Sequence, residues 1–284
     1  MLKQFDLLDI EIEALKNDQS IYGVLLSGSL AYGKATEHSD IDLIVLSNKD
    51  EFVSRRVEGI LIEEHFHTYE KLVDGLDKNP AEVYKYIYSK ILFDDGRLAD
   101  LIKKAQFLYD HYKTPTEEKG KINYWLTTVK DKLKGAISNK DSLKISYLLS
   151  TSSWEVLKGV WAVNDKPMPP SSIAFAFYHS LAVVPFDKWF ESLFDKDINS
   201  RAESMIRIID WINFSFIDDD KSEFERRPAM EKFEYKVITY DPSGLFGGNV
   251  KVNQIENQLN MLGEDGWELI SCTSSNQSYG STKS

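Results

Sequence analysis

Two apolar runs of strand length, IYGVLLS (21–27) and IDLIVL (41–46), are joined by a short polar stretch that begins at Gly28-Ser29 and ends at Ser39-Asp40. Runs of this kind fill the interior of a sheet, and the abrupt Gly-Ser marks a strand-to-turn junction. The second run brings two acids with it. Asp40 and Asp42 are two residues apart, so in a strand their side chains leave the same face. Unpaired carboxylates are expensive beside Leu43, Ile44, Val45 and Leu46. A cation between them relieves the cost, and magnesium, which takes oxygen ligands and often bridges to phosphates, is the expected ion. Gly28 offers no Cβ and allows close backbone approach. Ser29 and the amides of a following helical turn form a small cradle suited to phosphate oxygens. A metal that neutralises phosphates and an attacking hydroxyl held in line are what phosphoryl-type transfer requires.

A third acid is expected on the next strand, EGILIEEHFH (58–67). Glu63 shares a face with Leu61, His65 and His67; Glu64 shares the other with Ile60, Ile62 and Phe66. Alternation alone leaves both open. His65-x-His67 beside Glu63 also has transition-metal spacing. Such histidines more often line a cleft or a half-exposed strand, and that is the reading adopted.

The segment GSLAYG…SDIDLIV resembles the signature of the DNA polymerase β-like nucleotidyltransferase superfamily, and within it the bacterial small-molecule branch of aminoglycoside and lincosamide nucleotidyltransferases. The likeness covers about residues 20–95 by motif and extends loosely to Trp161-Ala-Val-Asn164-Asp-Lys166-Pro167. It implies that Asp40 and Asp42 hold Mg2+ and that Gly28 and Ser29 contact the triphosphate, with Ser39 as a further nucleotide-binding candidate. In that family the third carboxylate often follows an apolar residue, as in Leu-Glu-Val. Ile62-Glu63-Glu64-His65-Phe66 puts Glu63 in that place, as metal ligand or general base. Glu64 departs from the family, which is usually apolar there. The implied reaction moves a nucleoside monophosphate, AMP by expectation, from ATP or another NTP to a hydroxyl of a small-molecule acceptor such as an antibiotic, releasing pyrophosphate. Two alternatives stand beside it: AMP transfer to a partner protein in toxin–antitoxin fashion, and a non-catalytic nucleotide-binding or interaction protein.

The rest of the sequence bounds these readings. The net charge of −11 over 284 residues argues against general nucleic-acid binding, which depends on Lys and Arg neutralising phosphates. One cysteine, Cys272, excludes a disulfide framework or a cysteine zinc site within the chain. No apolar run approaches the roughly 20 residues of a membrane helix, and the N-terminus lacks the pattern of a signal peptide. A cytoplasmic location and no membrane partner are expected, and a homodimer is compatible with the pattern.

The expected fold class is α+β: a nucleotidyltransferase-type mixed sheet with flanking helices, then a helical bundle and a small α+β module. Residues 1–96 form the expected catalytic domain, with an opening helix (3–18) whose stripe is Phe5, Leu8, Ile12 and Leu15. Helices are expected at 69–78 and 80–92, the second opening at Asn79-Pro80. Helical patterns at 97–112, 117–138, 141–163, 171–182, 186–194 and 198–217 read as a bundle over 97–217. Its Trp154 and Trp161 are expected in the core, and the lysines at 130, 132, 134, 140 and 144 on a solvated face. The charged stretch 218–229 reads as a linker. In 230–284, FEYKVITYD…GWELIS…NQSYGST resembles a small bacterial domain of unknown function.

Overall fold

The two apolar runs pair with each other. In the computed structural model β1 (Ile21–Ser27) and β2 (Ile41–Ser47) are antiparallel neighbours, with the single turn of α2 (Gly28–Ala31) directly after β1 and Ser27 opposite Asp42. The structure describes residues 2–226 and, beyond them, Asn260; for residues 218–226 it describes the backbone alone. The chain divides into two compact units, Met1–Arg227 and Pro228–Ser284. The expected C-terminal module lies outside the described residues.

Three more strands complete a five-stranded mixed sheet of order β3-β4-β2-β1-β5. β3 (Glu51–Val57) and β4 (Ile60–His67) form a hairpin. Its turn residues Glu58 (φ 51°) and Gly59 (φ 86°) both have positive φ, the conformation that suits a two-residue hairpin. β4 runs parallel to β2 with Glu63 opposite Asp42, and β5 (Lys90–Asp94) pairs antiparallel with β1. This is the α+β sheet expected from sequence, with two strands the sequence did not announce. β3 is an exposed edge strand of mixed polarity, and β5 occupies what read as the end of an 80–92 helix. There Asn79 accepts from the Ala81 N–H and opens a 3₁₀ turn (Pro80–Val83), followed only by α4 (Tyr84–Ile87).

Each sheet face carries its own core. On one, Val24, Leu26, Leu43, Val45, Ile62 and Phe66 pack on Leu7, Leu8 and Leu15 of α1 (Lys3–Lys16). The helix is turned from its expected stripe, for Phe5 is 37% exposed and Gln4 is buried. On the other, Leu25, Ile44 and Leu46 pack on α3 (Tyr69–Lys78), α4 and α5 (Arg97–Asp110). α5, expected as the first bundle helix, instead places Leu98, Leu101 and Ala105 in this sheet core.

A third core lies among α6 (Thr116–Ser138), α7 (Ser142–Val163) and α10 (Ile198–Arg226), built on Leu126, Leu133, Val156, Val160, Ile208 and Ile212. Gly159 permits the close approach of α7 and α10; a Cβ there would sit 2.7 Å from Ile212 Cδ1. The shorter α8 (Ser171–Phe177) and α9 (Trp189–Ser192) fill in around them. Trp161 is buried, but Trp154 remains 40% exposed, outside the core expected for it. The backbone of α10 stays helical through Asp218-Asp219-Asp220, where the linker was expected to begin.

Candidate active site

Ile41 and Leu43 point into the α1-side core, so the intervening Asp42 must face the other side. The parallel register sets Glu63 beside it, and Asp40 stands one step before β2. One carboxylate oxygen from each of Asp40, Asp42 and Glu63 lies within 4.8 Å of the others. The three acids singled out from sequence are thus brought together. Gly28 has φ +68°, and a Cβ there would stand 2.1 Å from Asp42 Oδ2. Only glycine fits, both for its dihedral and for the space the carboxylate takes. Ser27 Oγ donates to the Asp42 carbonyl at 3.3 Å and ties the two strand ends together.

Burial, then the charges of Asp40 and Glu63, push the Asp42 carboxyl up to about 6. Such crowding is relieved by a cation. Three hard oxygen donors within 4.8 Å fit a divalent ion that prefers carboxylates. Among the described residues this is the one group of three or more acidic, histidine or cysteine side chains so arranged. Glu63, His65 and His67 do not form another.

The cradle of the turn is held from behind. Ser29 Oγ donates to Ser39 Oγ at 3.0 Å, and the Thr36 N–H donates to the same oxygen at 2.9 Å. Gln4 of α1 shares its amide Nε2 among the carbonyls of Thr36 (3.2 Å), Glu37 (3.1 Å) and Ser39 (3.0 Å). It therefore fixes the loop that delivers Asp40. Sequence reasoning missed Gln4; its signal was a polar residue on the buried side of an amphipathic helix, legible only once the stripe is placed correctly.

Glu64 goes the other way. It is buried on the α1 side, 3.5 Å from Arg55 Nη2, while Arg55 also grips both carboxylate oxygens of Glu11 at 3.1 and 2.6 Å. Burial raises the Glu64 carboxyl and Arg55 draws it back. The choice that alternation left open is settled in position: Glu63 stands with the aspartates, Glu64 in an ion pair.

His65 and His67 follow Glu63 along the same face and line a cavity of ≈ 130 Å³ together with Asp42, Leu72 and Lys85. Burial lowers the pKa of both imidazoles. His67 Nδ1 lies 3.3 Å from Asp50 Oδ1. The His65 ring leans on Phe52, with centroids 4.7 Å apart. They line a cleft, as read from sequence. Lys85 carried no sequence signal.

Residues 9–120 match the nucleotidyltransferase domain family, and residues 233–284 match a domain of unknown function (DUF4177). No curated protein matches the chain. Among solved structures, a nucleotidyltransferase-like protein from Exiguobacterium sibiricum 255-15 is similar, at 13% identity and TM-score 0.35, over 78% of this chain and 80% of that one. The acidic cluster, its turn and its sheet thus lie within the residues that match the nucleotidyltransferase domain family. An enzyme of this kind takes a nucleoside triphosphate as substrate and generally works with a divalent metal. No described helix is long and apolar enough to cross a membrane.

Proposed function

We propose that this nucleotidyltransferase moves AMP from magnesium-bound ATP to a hydroxyl of a small-molecule acceptor and releases pyrophosphate. The observation that carries this reading is the cluster of Asp40, Asp42 and Glu63 within 4.8 Å, packed against the Gly28-Ser29 turn. In this reading the three acids hold the ion, which when bound neutralises the phosphates and the developing charge. Gly28 and Ser29 take the phosphate oxygens, and Ser39 keeps the Ser29 hydroxyl oriented. The acceptor oxygen bonds to the α-phosphorus as the bond from that phosphorus to the bridging oxygen breaks, and pyrophosphate departs. The proton of the acceptor hydroxyl passes to Glu63, whose second carboxylate oxygen is free for this while the first serves the metal. Residues 1–96 with α5 make the catalytic domain in this account, and the bundle and C-terminal module are additions to it.

The test is incubation with magnesium and ATP labelled at the α-phosphate, over a panel of hydroxyl compounds. Label is expected on an acceptor in step with pyrophosphate release. Turnover unchanged by Asp42→Asn would overturn the assignment of the site, and label on a protein band would move the acceptor from small molecule to partner.

A further inference from the structure

We infer that the ≈ 130 Å³ cavity beside Asp42 is the acceptor subsite and that it receives an anionic group, phosphate or carboxylate, carried by the hydroxyl acceptor. The inference rests on the transferase reading above. Its size argues for one group rather than a whole ligand, since small-molecule sites run to about 300–1,000 Å³. Its place argues for the acceptor. Asp42 forms one wall, and His65 follows Glu63 by two residues on one face of β4, about 7 Å along the strand. A group seated at His65 therefore leaves a neighbouring hydroxyl within reach of Glu63.

The lining chemistry names the class. Apart from Asp42 and Ser27, the polar side chains of the wall are His65, His67 and Lys85, all able to donate. Lys85 Nζ pairs with Glu82 at 2.6 Å, which occupies one of three ammonium donors. His67 is engaged by Asp50. His65 makes no hydrogen bond among the described residues, although its ring is held against Phe52. A fixed imidazole with nothing to bond, beside an ammonium, suits a ligand rich in lone pairs and negative charge. The net charge of −11 points instead to a cationic acceptor such as an aminoglycoside. The local wall disagrees, because its one carboxylate belongs to the metal-binding set and an incoming amine would face Lys85.

The test follows the imidazole NMR signals of the full chain, saturated with magnesium and a non-hydrolysable ATP analogue, while ribose or ribose 5-phosphate is added. His65→Gln assigns the His65 signals. Ribose 5-phosphate is expected to shift them and to bind about tenfold tighter than ribose, the scale of one charge-assisted hydrogen bond. Lys85→Met, at a half-exposed position that should not disturb folding, is expected to erase that difference. Equal binding of the two sugars, silence at His65, or tighter binding of an aminoglycoside there overturns the inference while leaving the transferase reading intact. Failure of the analogue itself to bind in a magnesium-dependent way overturns the transferase reading, and this inference with it.

Discussion

Glu63 and Glu64 are consecutive residues of β4 that face opposite sides of the sheet, and the two sides treat an acid differently. On the α1 side the fold supplies its own cation: Arg55 lies between Glu11 and the buried Glu64. On the other side the charges acting on Asp42 are like ones, Asp40 and Glu63, and Gly28 presses its backbone against the carboxylate. The first arrangement is complete as it stands. The second costs folding energy that a bound ion would return, the mark of a site built for a ligand rather than for stability. The comparison can be broken by showing that the paired acid is needed for turnover, or that the crowded ones are needed for folding.

The largest expected effect is on turnover. Asp42→Asn keeps the shape and removes one charge of the proposed metal-binding cluster, and it is expected to cut transfer at least about a hundredfold, beyond the 10–100-fold typical when only an outer partner of a metal ligand is lost. Glu64→Gln should leave steady-state transfer near wild type, because its carboxyl lies across the sheet from the cluster. A Glu64→Gln enzyme as inactive as Asp42→Asn, with its fold intact by circular dichroism, would dissolve the distinction between the faces.

Next comes stability on the α1 side. Arg55→Met leaves Glu64 and Glu11 without their cation. The expected loss is about 2 kcal/mol in urea unfolding, below the 3–5 kcal/mol of fully enclosed pairs because Arg55 keeps some contact with water. Transfer activity at a temperature where the variant is folded should be unchanged. Adding Glu64→Met to Arg55→Met should recover part of the loss, since the orphaned charge is then gone.

Much of this contrast was legible in the sequence. β1, β2 and β4 are apolar runs in the sheet interior, and the spacing of Gly28, Asp40 and Asp42 carried the turn and two of the three acids. β3 and β5 were hidden because edge strands are covered on one side only, so EFVSRRV need not look apolar. KILFD read as the end of a helix because Pro80 does open a helical turn nearby. Glu63 against Glu64 could not be decided by alternation, since either face of β4 can be apolar; the parallel register with β2 and the position of Arg55 decide it. Lys85 was out of reach, as nothing local links α4 to the face of β4.

The pH dependence separates the faces again, by a comparable amount. The Asp42 carboxyl stands at about 6 in the fold against 3.8 for the free group. Between those values the folded chain holds a proton that the unfolded chain has released, so stability falls as pH rises from about 4 and the loss is complete above about 6. In metal-free buffer at pH 7 Asp42→Asn should therefore be the more stable protein, on the order of 2 kcal/mol, with the advantage gone at pH 4. Magnesium should remove most of it at pH 7 by stabilising the wild type alone. Urea midpoints of the two proteins at both pH values, with and without the ion, measure this. A wild type more stable than Asp42→Asn at pH 7 without metal would mean that the crowding is compensated.

The smallest expected effect concerns α1, which serves both faces. Glu11 anchors Arg55, and Gln4, near the start of the same helix, holds the Thr36, Glu37 and Ser39 carbonyls of the loop before Asp40. Gln4→Leu keeps the volume and removes the donor. The freed carbonyls sit on a loop that water reaches, so the stability loss should be only about 1 kcal/mol. The loop keeps its bonds from Thr36 and Ser29 to Ser39, so it loosens without being lost. Because Ser29 and Asp40 flank that loop, the KM for the nucleoside triphosphate is expected to rise by roughly threefold, the scale of about half a typical hydrogen bond, with kcat less affected. Glu11→Gln should lower stability by a similar amount and leave the KM for the nucleoside triphosphate alone, since among the described residues its carboxylate meets only Arg55, on the far side of the sheet. An equal rise in KM in both variants would trace the effect to the seating of α1 as a whole rather than to the loop that Gln4 holds.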